Sequence, residues 1–512
     1  MSAPTARDRA RTSGAVAPRP DGPRSSPPRS DVPRTGAPRT GARPVLAVQP
    51  RMSASAGMPA RPRGQARRAP GAPVLTPDPG TAVVQSARPV RPAPVVPVRQ
   101  PWLRAQGLNV TRHAAALRPF REGEFGNGAA APTAGHLQAV NALLRQLRAE
   151  LLRQSEQVRE LARAAEARPV TGRLQRLLTA KERAHDWVRE VERIWDFYFE
   201  LFGQRQSVFA DALLSCDRIA LSCYQAAYLG VGEAKPLPAP PPFSFMRTGF
   251  SPATFRRGIP LRRLGRRLNP FPLVQLPYHR LVNPWTLGAV LHEVSHNLQS
   301  DLGLDRAVPR AIARRLLDEG CPPAVVRTWV RWNREIYADL CALLLGGPAV
   351  VGSLLDVIGR APATVLTYSP HGPHPTPWFR AWISIELLRR TGFEEQAERY
   401  GRLWAAIYPD PRAGTLPREL LATFQAAHPT VVDALCFRPF PELGRRSLAQ
   451  VLPFGAKEYA MQREAAERLA AGTDPGIIPA RFLIGATRSA LDRGLARPGV
   501  ITRNFYTELA RR

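Results

Sequence analysis

The chain has 512 residues and a formal net charge of +31 at pH 7, with 72 basic against 41 acidic residues. This length allows two to four domains. No secretory leader and no apolar run of about 18 residues can be recognised, so we expect no membrane span and a cytoplasmic location, although non-classical export would also fit. The five cysteines contain no C-x-x-C pair, which favours a reducing compartment over a disulfide scaffold.

Residues 1–131 are rich in proline and arginine and hold almost no aromatic residue before Trp102. Such a composition cannot bury a core, so a disordered arm with polyproline character is predicted. Its positive charge could bind nucleic acid or another acidic partner. The alternative is a solvated tail with biased codon usage, because nearly all basic residues of the whole chain are arginine.

Helical periodicity begins near Thr133 and predicts three long helices, the last of which ends at about residue 229. They predict an antiparallel helical bundle over residues 132–230. A coiled-coil oligomerisation arm is the alternative for residues 134–167. The sequence does not decide the oligomeric state.

The rest of the chain divides into a Pro- and Arg-rich connector (231–270), a metal-site domain (271–410) and a C-terminal helical region (411–512). Residues 273–278 are β-prone, and Pro277 removes one ladder donor, so an edge strand is predicted there. An extended peptide could pair with such an edge. The other segments read as helices, which predicts a mainly α fold.

An H-E-x-x-H pattern is formed by His292, Glu293 and His296. Residues four apart share one helical face, so both imidazoles can reach a single metal ion. The glutamate lies close enough to act as a base on a metal-bound water. Asn283 followed by Pro284 predicts the start of the helix that carries this pattern.

Two histidines do not complete a catalytic zinc site, which usually has three protein ligands. Glu335 and Asp339 lie four residues apart in an otherwise apolar helix. Burial of this acidic pair without a counter-charge would be costly, and a metal with its histidines would supply that charge. Leu302 stands where a metzincin would have its third histidine, which excludes that family.

With E-x-x-x-D following the second histidine by 39 residues, the chain resembles the gluzincin zinc metallopeptidases, the thermolysin-like group. The resemblance covers about residues 271–392. It implies that Glu335 is the third zinc ligand and that Asp339 holds a ligand histidine through its second ring nitrogen. The chain lacks the multi-stranded sheet of larger members, so we expect a reduced, mostly helical zincin-like domain.

The loop over residues 368–380 adds further polar groups. Peptide hydrolysis needs a donor for the oxyanion, and His374, His371 or Tyr368 could provide it. Arg380 could bind a substrate carboxylate or pair with an acid of the site. The loop is similar to those of uncharacterised bacterial zincins. The alternative is a rigid proline-rich turn whose histidines cap the next helix.

The expected function is that of a metallopeptidase with one Zn²⁺, cleaving peptide or protein substrates through a zinc-bound water and Glu293 as general base. One alternative is a non-proteolytic binding or scaffold protein with a metal site and a basic interaction arm. A second is a zinc hydrolase of a non-peptide amide. The intact Glu293 favours an enzyme, because a scaffold needs no base beside two ligands.

Overall fold

Helices dominate the part of the chain that the computed structural model describes, which is residues 99–232, 239–249, 251–260 and 268–512. The prediction of a mainly α fold is confirmed. The helices are α1 (Arg99–Ala116), α2 (Ala134–Ala167), α3 (Thr171–Gly203), α4 (Ala210–Val231), α5 (Gly288–Asp301), α6 (Leu304–Asp318), α7 (Pro323–Gly346), α8 (Pro348–Ile358), α9 (Pro362–Val365), α10 (Pro377–Arg390), α11 (Glu394–Ile407), α12 (Arg418–Val432), α13 (Leu448–Val451), α14 (Ala456–Ala471), α15 (Leu483–Asp492) and α16 (Pro498–Arg511). The strands are β1 (Phe243–Met246), β2 (Ala253–Phe255), β3 (Leu273–Leu276), β4 (Pro439–Phe440) and β5 (Arg446–Ser447).

Helices α1, α2 and α3 pack around one hydrophobic core, which we call the bundle core. Leu103, Val110 and Ala114 form the buried face of α1. The prediction that the disordered arm extends to residue 131 is therefore wrong for residues 99–131. Their short apolar face is hard to recognise after a long proline- and arginine-rich stretch. Residues 1–98, with the predicted disorder and the nucleic-acid or acidic partner, lie outside the described residues.

A second core, the metal-site core, takes in α4 and the helices that follow the sheet. The predicted bundle of residues 132–230 therefore ends with α3, because Cys216, Ile219 and Tyr224 of α4 are buried in the metal-site core. The C-terminal helices belong to the same core, with α15 against α8 and α16 against α4. The boundary predicted at residue 410, between the metal-site domain and the C-terminal helical region, therefore does not separate two cores.

A three-stranded sheet of order β1-β3-β2 contributes to both cores. Strand β3 pairs in parallel with β1 and antiparallel with β2. Its side chains alternate, with Leu273 in the bundle core and Val274 and Leu276 in the metal-site core. The predicted edge strand is thus the central strand. Its two neighbours come from the connector, whose composition concealed them, and Pro277 follows the last residue of β3 and removes none of its ladder bonds.

One helical stretch in the described part of the chain, Arg418–Phe437, is long and apolar enough to cross a membrane, with a mean hydropathy of 1.2. Half of it is buried, and Phe424, Ala427 and Val431 belong to the metal-site core. It is therefore a core helix, and a membrane protein is not indicated.

His136 joins the bundle to the segment that leads into the sheet. Its Nδ1 lies 2.8 Å from Thr133 Oγ1, and its Nε2 lies 2.9 Å from the carbonyl oxygen of Pro241. The ring packs against Phe243 and Phe271. Burial lowers the pKa of His136, so the folded state favours the neutral ring.

Acidification is expected to destabilise the fold through His136. Above a pH of about 6.5 the ring is neutral in the folded and unfolded states, whereas below it the unfolded chain takes up a proton that the folded ring resists. The free energy of unfolding therefore falls as the pH falls. Thermal denaturation between a pH of about 7.5 and about 5.5 should show a smaller loss of Tm in His136→Gln, which cannot titrate. Parallel curves for the two proteins would contradict this.

Candidate metal centre

Helix α5 begins at Gly288, after a 3₁₀ turn at Pro284–Thr286. The start predicted at Asn283 and Pro284 is therefore a separate turn, and the helix begins after it. Gly288 allows close packing against α8, because a Cβ at this position would lie 2.8 Å from Cβ of Ser353. The first residue of α5 is therefore packed directly against α8.

Glu335 on α7 faces both histidines of α5. Its Oε2 lies 3.5 Å from Nε2 of His292, and its Oε1 lies 3.5 Å from Nε2 of His296. One ligand atom from each of the three residues falls within 4.8 Å of the others. Donors of a tetrahedral zinc with bonds of about 2.05 Å lie about 3.3 Å apart. The two distances of 3.5 Å from Glu335 are close to this spacing, and imidazole and carboxylate are donor types that zinc binds.

Asp339, one turn after Glu335 on α7, fixes the ring of His292. The Nδ1–H of His292 donates to Asp339 Oδ1 at 2.9 Å, which leaves Nε2 directed at Glu335. Arg380, in the first turn of α10, donates two hydrogen bonds of 2.7 Å to the two carboxylate oxygens of Asp339. Of the two roles considered for Arg380, pairing with an acid of the site is the one observed. This chain of contacts sets the tautomer and orientation of the histidine.

The centre concentrates negative charge in the interior. Glu293, Glu335 and Asp339 contribute three carboxyl groups, and Arg380 contributes one guanidinium. With all three carboxyl groups ionised and the histidines neutral, the net charge is −2. Burial opposes protonation of His292, but its hydrogen bonds to Asp339 and Glu335 outweigh burial and raise its pKa. The surroundings therefore favour positive charge at this ring, and a bound dication would balance the carboxylates.

Glu293 and His296 respond to burial in opposite directions. Burial raises the pKa of Glu293, whose exposed fraction is 7%, to about 7. Burial lowers the pKa of His296 to about 3, which keeps its ring neutral, as a metal ligand requires. A carboxyl group with a pKa near neutrality is well suited to accept a proton and return it.

A cavity of about 340 Å³ opens at the His292 end of the cluster, and we call it the apolar cavity. Its apolar wall includes Val350, Leu354 and Val357 of α8. Of the three predicted oxyanion donors on the loop before α10, His374 lines this cavity, and its Nε2 lies 3.3 Å from Glu335 Oε2.

Tyr368 and His371 are the two predicted oxyanion donors that the fold does not bring to the cluster. The hydroxyl of Tyr368 accepts a hydrogen bond of 3.1 Å from Arg331. His371 is exposed on the loop. Neither residue lines the apolar cavity. Of the three candidate oxyanion donors predicted on this loop, the fold therefore brings His374 alone beside the ligands.

A second cavity, of about 360 Å³, lies at the His296 end of the cluster and is bordered by Arg256, Arg331 and Arg334. The sequence interpretation missed these arginines, because arginine is so frequent in this chain that one more carries no signal. The spacing of Arg331 and Glu335, four apart on α7, was the available indication that both face the same side.

The chain matches no protein-family model, no curated protein and no solved structure. The site is therefore defined by its own geometry. The class of protein that the fold and this site define is a mainly α protein in which His292, His296 and Glu335 could hold a metal ion.

Glu335→Ala is expected to abolish zinc retention, because the two remaining imidazoles make a weak site. Mass spectrometry after loading and dialysis should find about one zinc per chain in the wild type and little in this variant. Glu293→Gln is the matched control and should keep its zinc, because Glu293 is not a ligand. Unchanged zinc in Glu335→Ala would remove Glu335 from the site.

Asp339→Asn should lower the affinity for zinc by about 10- to 100-fold, because the His292 ring loses its charged partner while the ligands stay intact. Competition with a chromogenic chelator measures this affinity. Asp356→Asn serves as the control, since Asp356 forms an ion pair with Arg488 and does not line the apolar cavity. Equal affinities in the wild type and Asp339→Asn would show that the aspartate does not support the ligand.

Proposed function

We propose that the chain is a zinc-dependent hydrolase that acts as a metallopeptidase. The observation that carries this proposal is Glu293, a buried carboxyl group with a pKa of about 7 beside three convergent ligands. A structural zinc site is closed by its four protein ligands and has no use for a buried base next to them. A catalytic site uses such a base directly.

Bound by the two histidines and Glu335, zinc would supply Lewis acidity toward water and a substrate carbonyl. Glu293 accepts a proton from the water as its oxygen adds to the carbonyl carbon, and delivers that proton to the amine nitrogen as the C–N bond breaks. His374 donates a hydrogen bond to the carbonyl oxygen as negative charge develops on it. Asp339 meanwhile keeps the His292 ring in one orientation.

The open edge of strand β2 favours a peptide as the substrate. The strand pairs with β3 on one side only, so its other edge is open to pairing within the described sheet. Thr254 of β2 accepts a hydrogen bond of 2.8 Å from Asn297, the residue after His296. An extended peptide on this edge would lie beside the ligands, so β2 takes the role first expected for residues 273–278.

A zinc hydrolase of a non-peptide amide would use the same groups, and the open edge of β2 is what favours a peptide.

For the location we propose the cytoplasm. All five cysteines are free and buried, which fits a reducing compartment.

Glu293→Gln is expected to lower kcat for peptide hydrolysis by about 10²- to 10⁴-fold, because the amide cannot accept the proton of the water. A library of quenched fluorescent peptides, read with the zinc-loaded full chain, measures this loss. Glu464→Gln is a matched control, since Glu464 is an exposed residue paired with Arg468.

The base assignment would be wrong if zinc-loaded Glu293→Gln kept the activity of the wild type. A wild type that leaves every peptide intact but hydrolyses simple amides would favour the non-peptide alternative.

A further inference from the structure

The second cavity, which we call the basic cavity, adjoins the proposed catalytic centre. It shares His296 and Glu335 with that centre. The apolar cavity instead contains His292 together with Glu335. The two cavities therefore meet at the metal ligands, and a group bound in either would lie next to the reacting atoms.

Three guanidinium groups border the basic cavity, from Arg256, Arg331 and Arg334. A carboxylate near them is that of Asp305, 3.3 Å from Arg256 and 3.8 Å from Arg334. Glu335 also lines the cavity, so the three arginines exceed the carboxylates of Asp305 and Glu335 by one positive charge. The cavity is thus electropositive even before a metal adds its own charge.

Arg331 is held by neutral oxygen atoms. Its Nε donates to the carbonyl oxygen of Gly372 at 3.2 Å, and its Nη2 donates to the hydroxyl of Tyr368 at 3.1 Å. These bonds fix the guanidinium at the cavity without neutralising it. The side chain of Arg334 is 57% exposed, so it can turn toward a bound group at little structural cost.

The strand proposed to guide the substrate runs past both cavities. Ser251 and Pro252, just before β2, line the apolar cavity. Thr254 and Arg256, in and after β2, line the basic cavity. A peptide paired along β2 would therefore present successive groups first to one cavity and then to the other, with the metal ligands between them.

We propose that the basic cavity is a subsite for a carboxylate of the substrate. The enzyme then prefers an acidic group on one side of the scissile bond and an apolar side chain on the other. A carboxylate forms charge-assisted hydrogen bonds with arginine, whereas a basic side chain would be repelled. The inference rests on the proposed peptidase function. The carboxylate can belong to a Glu or Asp side chain or to the C-terminus of a peptide.

The test uses quenched peptides that share one apolar residue and carry Glu, Gln or Lys across the scissile bond. One arm has amidated C-termini, and the other places a free C-terminal carboxylate at the varied position. Zinc-loaded full-length wild type should prefer Glu to Gln by about tenfold in kcat/KM. This preference should shrink at high salt, because the charges are partly exposed. A preference for Glu among the amidated peptides assigns the subsite to acidic side chains. Faster cleavage of the free than of the amidated peptides, without a preference for Glu, assigns it to C-termini.

Arg334→Gln should reduce the preference for Glu to about twofold, and Arg334→Glu should shift it toward Lys. The matched control is Arg327→Gln, because Arg327 is exposed on the same helix and lines neither cavity. It should keep the preference of the wild type. A preference that is equal in the wild type and Arg334→Gln would overturn the assignment of Arg334.

Binding of the same peptides to zinc-loaded Glu293→Gln, followed by fluorescence anisotropy, separates the subsite from the chemistry. Tighter binding of Glu than of Gln or Lys peptides, without cleavage by the wild type, would support the subsite and overturn the peptidase. Cleavage without any charge preference would support the peptidase and overturn the subsite. Equal binding of all peptides, or binding of none, would also overturn the subsite.

Discussion

The constraint on which the centre depends is the burial of three carboxylates against a single guanidinium. Asp339 is neutralised by two hydrogen bonds from Arg380 and one from His292. Glu335 faces the imidazole rings of His292, His296 and His374 at 3.3–3.5 Å, and Glu293 has no guanidinium partner within hydrogen-bonding distance among the described residues. Leaving a charge buried and uncompensated costs several kcal/mol, and a cation held by His292, His296 and Glu335 would offset that cost.

Apolar packing is what holds these helices close enough for the charges to meet. Ile336, Leu340 and Leu343 of α7 are almost completely buried. Each large side chain buried in this way contributes roughly 2–3 kcal/mol, so a few of them offset the desolvation of one charged group. The same helix therefore supplies both the apolar contacts and the acidic pair.

What could be predicted from the sequence is what depends on local spacing. His292 and His296 share a face because they lie four apart on one helix, and the same rule holds for Glu335 and Asp339. The contact between these two pairs is not local, yet the cost of burying acids without a counter-charge was enough to indicate it. The partner of Arg380 was left between two choices, because only the packing of α10 on α7 decides it.

The central position of β3 in the sheet could not be predicted either, because it depends on contacts between segments that are distant in sequence. Strand order depends on pairing between distant segments, and β1 and β2 lie in a stretch whose composition suggests a loop.

This sheet also gives the N-terminal bundle a part in the site. Phe243 and Leu273 are buried in the bundle core, so the bundle fixes β1 and β3, and β3 in turn carries β2 in register. The edge along which a substrate would lie is therefore set from two sides, by the bundle through β3 and by α5 through the bond between Asn297 and Thr254. A cleft with an apolar end and a basic end can discriminate between substrates only if its edge stays fixed relative to both, and this arrangement provides that fixed reference.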